Sequence, residues 1–154
     1  MKRYLLKIWR ILPLWMQTIA SNIIRPRFLV VVGAMIFNEQ GKLLLCEHTY
    51  RRQYPWGLPG GDLKFNESPL DGITRELMEE TGMTIQAGRL LLVENSSLTR
   101  KVTLTYLCTG VSGTFVANDE VSGISYFDPG ALPEFNQEHT TTIEKCLAIL
   151  NPDQ

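Results

Sequence analysis

Trp56 to Met83 reads WGLPGGDLKFNESPLDGITRELMEETGM, and this stretch decides how the rest of the chain is read. Its second half has the marks of a helix. Ser68 is a suitable N-cap, Pro69 a favoured first residue, and Asp71 completes a capping-box-like pattern. Gly82 is the expected stop. Leu70, Ile73 and Leu77 form a face that can anchor the helix to a sheet, and Glu76, Glu79 and Glu80, spaced i, i+3 and i+4, share an adjacent face. Three carboxylates within about 6 Å repel one another, at roughly 3 kcal/mol per ionised pair for an effective dielectric near 20. Fully exposed, the penalty falls to a few tenths per pair, and a solvated acidic helix is one reading. The other is a metal site. Pro59-Gly60-Gly61 supplies backbone whose carbonyls can approach a cation closely, and clustered carboxylates with a backbone oxygen make a hard oxygen site for Mg²⁺ or Mn²⁺. Arg75 and Glu67 can then orient the ligating carboxylates.

Upstream, Phe28–Phe37 (FLVVVGAMIF) is a continuous apolar run rich in β-branched residues, as expected of a strand buried on both faces. Asn38-Glu39-Gln40-Gly41 reads as a turn and Lys42–His48 as the returning strand of a hairpin. Further strands are expected at Arg89–Glu94, Lys101–Thr109 and Val121–Phe127, and a second helix at about Glu138–Leu150. Mixed strands with two helices make an α/β (α+β) class rather than a regular βαβ array.

The 154 residues suit one domain, with 44% hydrophobic and 20% charged residues, which excludes a disordered or low-complexity chain. The net charge of −1 excludes a chain that is basic throughout, and no double-stranded nucleic acid partner is expected. Cys46, Cys108 and Cys146 cannot all pair, and each sits in an apolar run, which reads as reduced core thiols in a cytoplasmic setting.

The charge is unevenly spread. Residues 1–27 hold Lys2, Arg3, Lys7, Arg10, Arg25 and Arg27 and no acid, leaving 9 basic and 16 acidic residues for the rest. Leu5, Ile8, Trp9, Leu12, Met16, Ile19 and Ile23 follow one stripe of a 3.6-residue period, with a kink or two short helices expected at Pro13. The longest uncharged stretch, Ile11 to Ile24, is too short and too polar to span a membrane, and no persuasive cleavage site marks a signal peptide. Residues 1–27 therefore read as a basic amphipathic arm that meets a membrane surface, a second subunit or its own domain, and residues 28–154 as the catalytic domain.

Gly61, five residues, Glu67, seven residues, then Arg75-Glu76-Leu77-Met78-Glu79-Glu80-Thr81-Gly82-Met83 resembles the complete Nudix box. Seven fixed residues, each at about 6% usage, would match by chance on the order of 10⁻⁷ across a chain of this length. Gly57-Leu58-Pro59-Gly60-Gly61 before the box, and Glu120, Tyr126-Phe127 and Leu132-Pro133 after it, are also similar to the family. The resemblance implies the Nudix fold, a mixed sheet sandwiched between helices, and metal-dependent hydrolysis of a nucleoside diphosphate linked to another moiety. It implies Glu76, Glu79 and Glu80 as metal ligands with the Gly60 carbonyl, and Glu67 and Arg75 as supporting residues. Lys64 stands where many relatives carry a glutamate, which bears on the substrate subclass.

The general base is expected to be Glu79, Glu80 or a loop residue such as Glu120. Arg51 and Arg52 offer guanidinium groups that match phosphate bidentately, against the alternative of a solvated loop, with Lys64 next in line. Tyr50, Tyr54 and Trp56 are read equally as stacking or packing residues. His48 and His139 lack the partner spacing of a zinc site. Two other functions share this fold: a nucleotide-binding sensor without catalysis, which would not need every carboxylate, and an isoprenoid-diphosphate isomerase, disfavoured because no cysteine lies obviously in the pocket. Nucleoside triphosphates, ADP-ribose, dinucleotides, nucleotide sugars and lipid-linked nucleotides all remain as substrates.

Overall fold

A computed structural model of the chain describes residues 9–24, 27–96 and 99–152. Among the described residues seven strands are formed: β1 (Leu29–Ile36), β2 (Leu43–His48), β3 (Trp56–Gly57), β4 (Gly60–Asp62), β5 (Thr84–Ser96), β6 (Lys101–Ser112) and β7 (Val121–Phe127). Three helices lie wholly within the described residues: α1 (Leu14–Ile24), α2 (Pro69–Thr81) and α3 (Gln137–Leu150). The strands make two sheets, one of four strands in the order β4-β1-β6-β5 and one of three in the order β3-β2-β7. The larger is mixed: β1 runs parallel to β6 and antiparallel to β4.

This corrects the hairpin expected of β1 and β2. The turn forms as read, with Asn38 Oδ1 accepting from the Gln40 and Lys42 amides and Gly41 at φ 73°. Beyond it, a single Phe37–Leu43 bridge joins the two segments, and each strand then pairs in a different sheet. Both segments are apolar on both faces, so tertiary packing rather than the turn selects their neighbours.

The core lies on two sides of these central strands. Val32, Ala34, Ile36 and Leu44 pack with Ile73 and Leu77 of α2, whereas Met35, Leu43 and Leu45 pack with Ile143 and Cys146 of α3. The alternation along β1 and β2 thus feeds two helices, one against each face. The outer end of β1 departs from the buried strand expected, since Leu29 is exposed and Val30 and Val31 are half-buried. All three cysteines are free and buried, as read from their apolar surroundings.

In the N-terminal arm, residues 9–11 and α1 are helical, with the break at Leu12–Pro13 where the proline places it. Leu5 and Ile8 of the expected stripe lie outside the described residues.

Candidate active site

Local sequence sets α2. Ser68 sits in extended backbone as N-cap and its side chain accepts from the Asp71 amide; Gly82 closes the helix in the left-handed region at φ 71°. The capping box is modified, because the Ser68 hydroxyl donates to Asp71 Oδ2 at 2.6 Å instead of the carboxylate reaching back to the cap amide. With Ile73 and Leu77 fully buried, the helix holds its three glutamates at graded depth. Glu80 is 4% exposed, the Glu76 side chain 13% and the Glu79 side chain 50%.

The carboxylates converge on two cations and one strand. Arg75 Nη1 donates to Glu76 Oε1 at 2.6 Å and to Glu79 Oε2 at 2.8 Å. Its Nε and Nη2 grip the Glu67 carboxylate bidentately at 3.0 and 2.6 Å, and Nη2 also reaches the Asp62 carbonyl at 3.1 Å. Lys64 Nζ bonds both Glu79 oxygens, at 2.8 and 3.2 Å. Glu80 Oε2 accepts from the Gly60 amide at 2.9 Å.

These contacts divide the acids electrostatically. The Arg75 hydrogen bonds, with help from the Lys64 amide, hold Glu67 down at about 2. Lys64 and then Arg75 keep Glu79 below the usual range, against its partial desolvation. Burial pushes Glu80 up to about 7, helped by the negative charge of Glu76 and Glu120 and opposed by the Gly60 amide and Arg51. Beside it, His48 is buried with neither ring nitrogen hydrogen-bonded, its Nδ1 3.8 Å from Glu80 Oε1. Burial and the nearby Arg51 lower its pKa to about 4. His48 is therefore neutral at pH 7, and the 3.8 Å approach is a polar contact rather than an ion pair.

Two glycines let the backbone into this cluster. Gly60 has φ 145°, and a Cβ there would lie 2.1 Å from the Val32 carbonyl oxygen. On Gly61 a Cβ would lie 2.5 Å from Glu76 Oε2. Strand β4 thus lies against β1, where the Val32 carbonyl leaves no room for a Cβ at Gly60, and against the Glu76 carboxylate, which would have to move aside for one at Gly61.

Strand β4 also borders a cavity of about 200 Å³, lined by Gly60, Gly61, Arg51, Tyr50, Lys101 and His139, among others. Arg51 Nη1 is buried and makes no hydrogen bond. Arg52, by contrast, is exposed and does not line the cavity. Lys64 is engaged by Glu79, while Trp56 packs edge-on against Phe127 at 5.0 Å and Tyr54 lines a separate groove. Glu120 is exposed, and its amide is held by Asn118 Oδ1 at 2.9 Å.

Asn118, His48, Lys101 and His139 were not marked out for this site by the sequence. Asn118 Nδ2 donates to the Glu79 and Glu80 carbonyls at 2.8 and 3.0 Å, tying the loop that carries Glu120 to the end of α2. It lies 38 residues beyond Glu80 in a loop without periodicity, so nothing local announces it. No group of three His, Cys, Asp or Glu side chains among the described residues is drawn together as a metal cage. The donor chemistry nonetheless fits a hard divalent cation: two carboxylates share one guanidinium, and a third stands at the adjoining glycine strand.

Residues 27–146 match the NUDIX domain. The chain belongs to the Nudix family. This Nudix chain is 29% identical over 109 residues to a "MutT-like protein" of Streptomyces ambofaciens, covering 71% of this chain and 70% of the relative. It is 33% identical over 110 residues to the 8-oxo-dGDP phosphatase NUDT18 of Danio rerio, covering 68% of this chain and 34% of the relative. Among solved structures, a UDP-X diphosphatase superposes with a TM-score of 0.73 at 23% identity, covering 89% of this chain and 72% of that one, a likeness of fold. An ADP-ribose pyrophosphatase of Streptococcus suis superposes with a TM-score of 0.67 at 26% identity, covering 84% of this chain and 93% of that one. The Nudix chain is a hydrolase of the pyrophosphohydrolase kind.

Proposed function

We propose that this hydrolase cleaves the diphosphate linkage of a nucleoside diphosphate joined to another moiety, with Mg²⁺ or Mn²⁺ as cofactor. The observation that supports the reading is that Gly60 and Gly61, against which the Glu80 and Glu76 carboxylates lie, also line the cavity that Arg51 lines. Three of the four proteins named above are a UDP-X diphosphatase, an 8-oxo-dGDP phosphatase and an ADP-ribose pyrophosphatase, and the common chemical element in those names is a diphosphate on a nucleoside. The family match over 27–146 supports taking residues 28–154 as the hydrolase domain and 1–27 as an appended arm. Three buried, unpaired thiols support a reducing, cytoplasmic setting.

Glu76, Glu79, Glu80 and the Gly60 carbonyl would hold the cation, which when bound neutralises diphosphate charge and lowers the pKa of water. Arg75, anchored by Glu67, keeps Glu76 and Glu79 side by side before substrate arrives. Arg51, half-buried and lining the cavity, offers its guanidinium to a substrate phosphate oxygen. The general base is drawn from Glu79, Glu80 and Glu120, the last carried on the loop that Asn118 tethers.

A screen of nucleoside triphosphates, ADP-ribose, dinucleotides and nucleotide sugars with Mg²⁺ or Mn²⁺, read by phosphate release after a phosphatase step, tests the reading. Turnover of at least one nucleoside diphosphate compound is expected, falling at least ~10²-fold in Glu79→Gln and Glu80→Gln. Binding of nucleotide without turnover, or full turnover by both variants, would overturn it.

A further inference from the structure

Nothing in the hydrolase reading uses α1. Of residues 9–24, none whose side chain is described is buried. Leu14 is 78% exposed, Trp15 64%, Ile19 51% and Ile23 77%, so the apolar side chains of an 11-residue helix stand in solvent. Trp15, Met16, Ile19 and Ile23 recur on one side of α1, while Gln17, Thr18 and Ser21 lie on the other together with the exposed Leu14 and Ile24. Two of those polar side chains are satisfied within the arm, since Gln17 Nε2 donates to the Leu12 carbonyl and Thr18 Oγ1 to the Leu14 carbonyl, both at 2.9 Å. Exposed apolar residues continue past the helix into Phe28 and Leu29 at the start of β1.

Charge selects what covers this face. The helix itself has no charged residue, and its flanks carry only cations: Lys2, Arg3, Lys7 and Arg10 before it, Arg25 and Arg27 after it. An apolar stripe with an aromatic anchor, bracketed by basic residues and lacking any acid, fits a plane that is apolar inside and anionic outside. No described helix is long and apolar enough to cross such a plane. Among the described residues of the arm no side chain is buried against the domain.

We propose that α1 and its basic flanks dock the enzyme on an anionic lipid surface, α1 lying in the interface with Trp15, Ile19 and Ile23 inserted among the acyl chains. The hydrolase domain then works beside the membrane. The arm lies outside the elements that build the active site, so docking and catalysis are separable.

Co-sedimentation of the full chain with vesicles tests this directly. Vesicles of phosphatidylcholine mixed with phosphatidylglycerol should pellet the protein at least about tenfold more strongly than phosphatidylcholine alone, because each basic residue adds attraction only to an anionic leaflet. Raising NaCl from about 0.05 to 0.5 M should release most of it as the Debye length shrinks. Trp15→Glu with Ile19→Glu should cut binding by about tenfold or more while the thermal midpoint stays unchanged, since both side chains are exposed. Protein that stays in the supernatant with both vesicle types overturns the proposal, as does binding untouched by the double substitution. So does a dimer in light scattering that the same substitutions convert to monomer without any vesicle binding; the face would then belong to a second copy of this chain.

Discussion

Arg75 and Arg51 are the same residue type in opposite situations. Arg75 spends its donors on Glu67, Glu76, Glu79 and the Asp62 carbonyl, and Arg51 leaves a buried Nη1 unpaired beside a cavity. Removing each should therefore do different things. Arg51→Ala is expected to lower kcat/KM by roughly 10- to 100-fold, matching a lost charge-assisted hydrogen bond of ~1.5–3 kcal/mol, with little change in stability. Unchanged kinetics would leave the phosphate to another cation. Arg75→Ala should cost activity and stability together, because it frees two acids to repel each other and unpins Glu67. Gly61→Ala is a sharper probe. Its methyl group would meet Glu76 Oε2 at 2.5 Å, so activity should fall markedly, and soluble protein with full turnover would refute the packing of β4 against the Glu76 carboxylate.

At the scale of elements, α2 carries both the core contacts and the acids, which makes its ends and its packing separable targets. Ser68→Ala removes the cap on the Asp71 amide and should lower stability by about 1 kcal/mol, measured by denaturant unfolding. Leu77→Ala, at a position with no exposure, should cost about 2–5 kcal/mol. Asn118→Ala breaks no core packing but releases the Glu120 loop from the Glu79 and Glu80 carbonyls. The expected result is reduced kcat with a near-native unfolding midpoint, and equal loss of both would assign Asn118 to the fold instead.

The whole molecule is poised against acid. Burial, together with Arg51, lowers His48 and His139 from an ordinary 6.5 to about 4, and Arg75 lowers Glu67 from 4.5 to about 2. The histidines and Glu67 bind their extra protons in the unfolded chain. Glu80, raised to about 7, binds its proton in the folded one between 4.5 and 7 and offsets one histidine there, so stability still falls as pH falls but less steeply. The histidine contribution is complete above pH 6.5 and is lost down to about 4; that of Glu67 is complete above 4.5 and is lost down to about 2. Thermal unfolding should show Tm dropping between pH 7 and 4, by on the order of several degrees for a chain of this size. A flat profile there would mean that the two imidazoles are more open to solvent than their burial implies.

What sequence alone determined was local. The cap at Ser68, the stop at Gly82, the common face of Glu76, Glu79 and Glu80, the break at Pro13 and the span of β7 all follow from neighbours within about one or two turns of chain. The strand segments were legible too, though β5 runs from Thr84 and not from Arg89, because the bulges at Ala87 to Leu92 spoil its period of two. Strands β3 and β4 are two and three residues long, too short for any periodicity to reveal. Tertiary structure alone decided which sheet each strand joins, since apolar segments pair equally well with several partners until the helices claim their faces. It also decided that Glu80 is buried while Glu79 stays half exposed, that Arg51 rather than Arg52 enters the cavity, and that His48 and Asn118 belong to the site. Those outcomes depend on contacts between residues far apart in sequence, and a one-dimensional pattern carries no information about which distant segments approach.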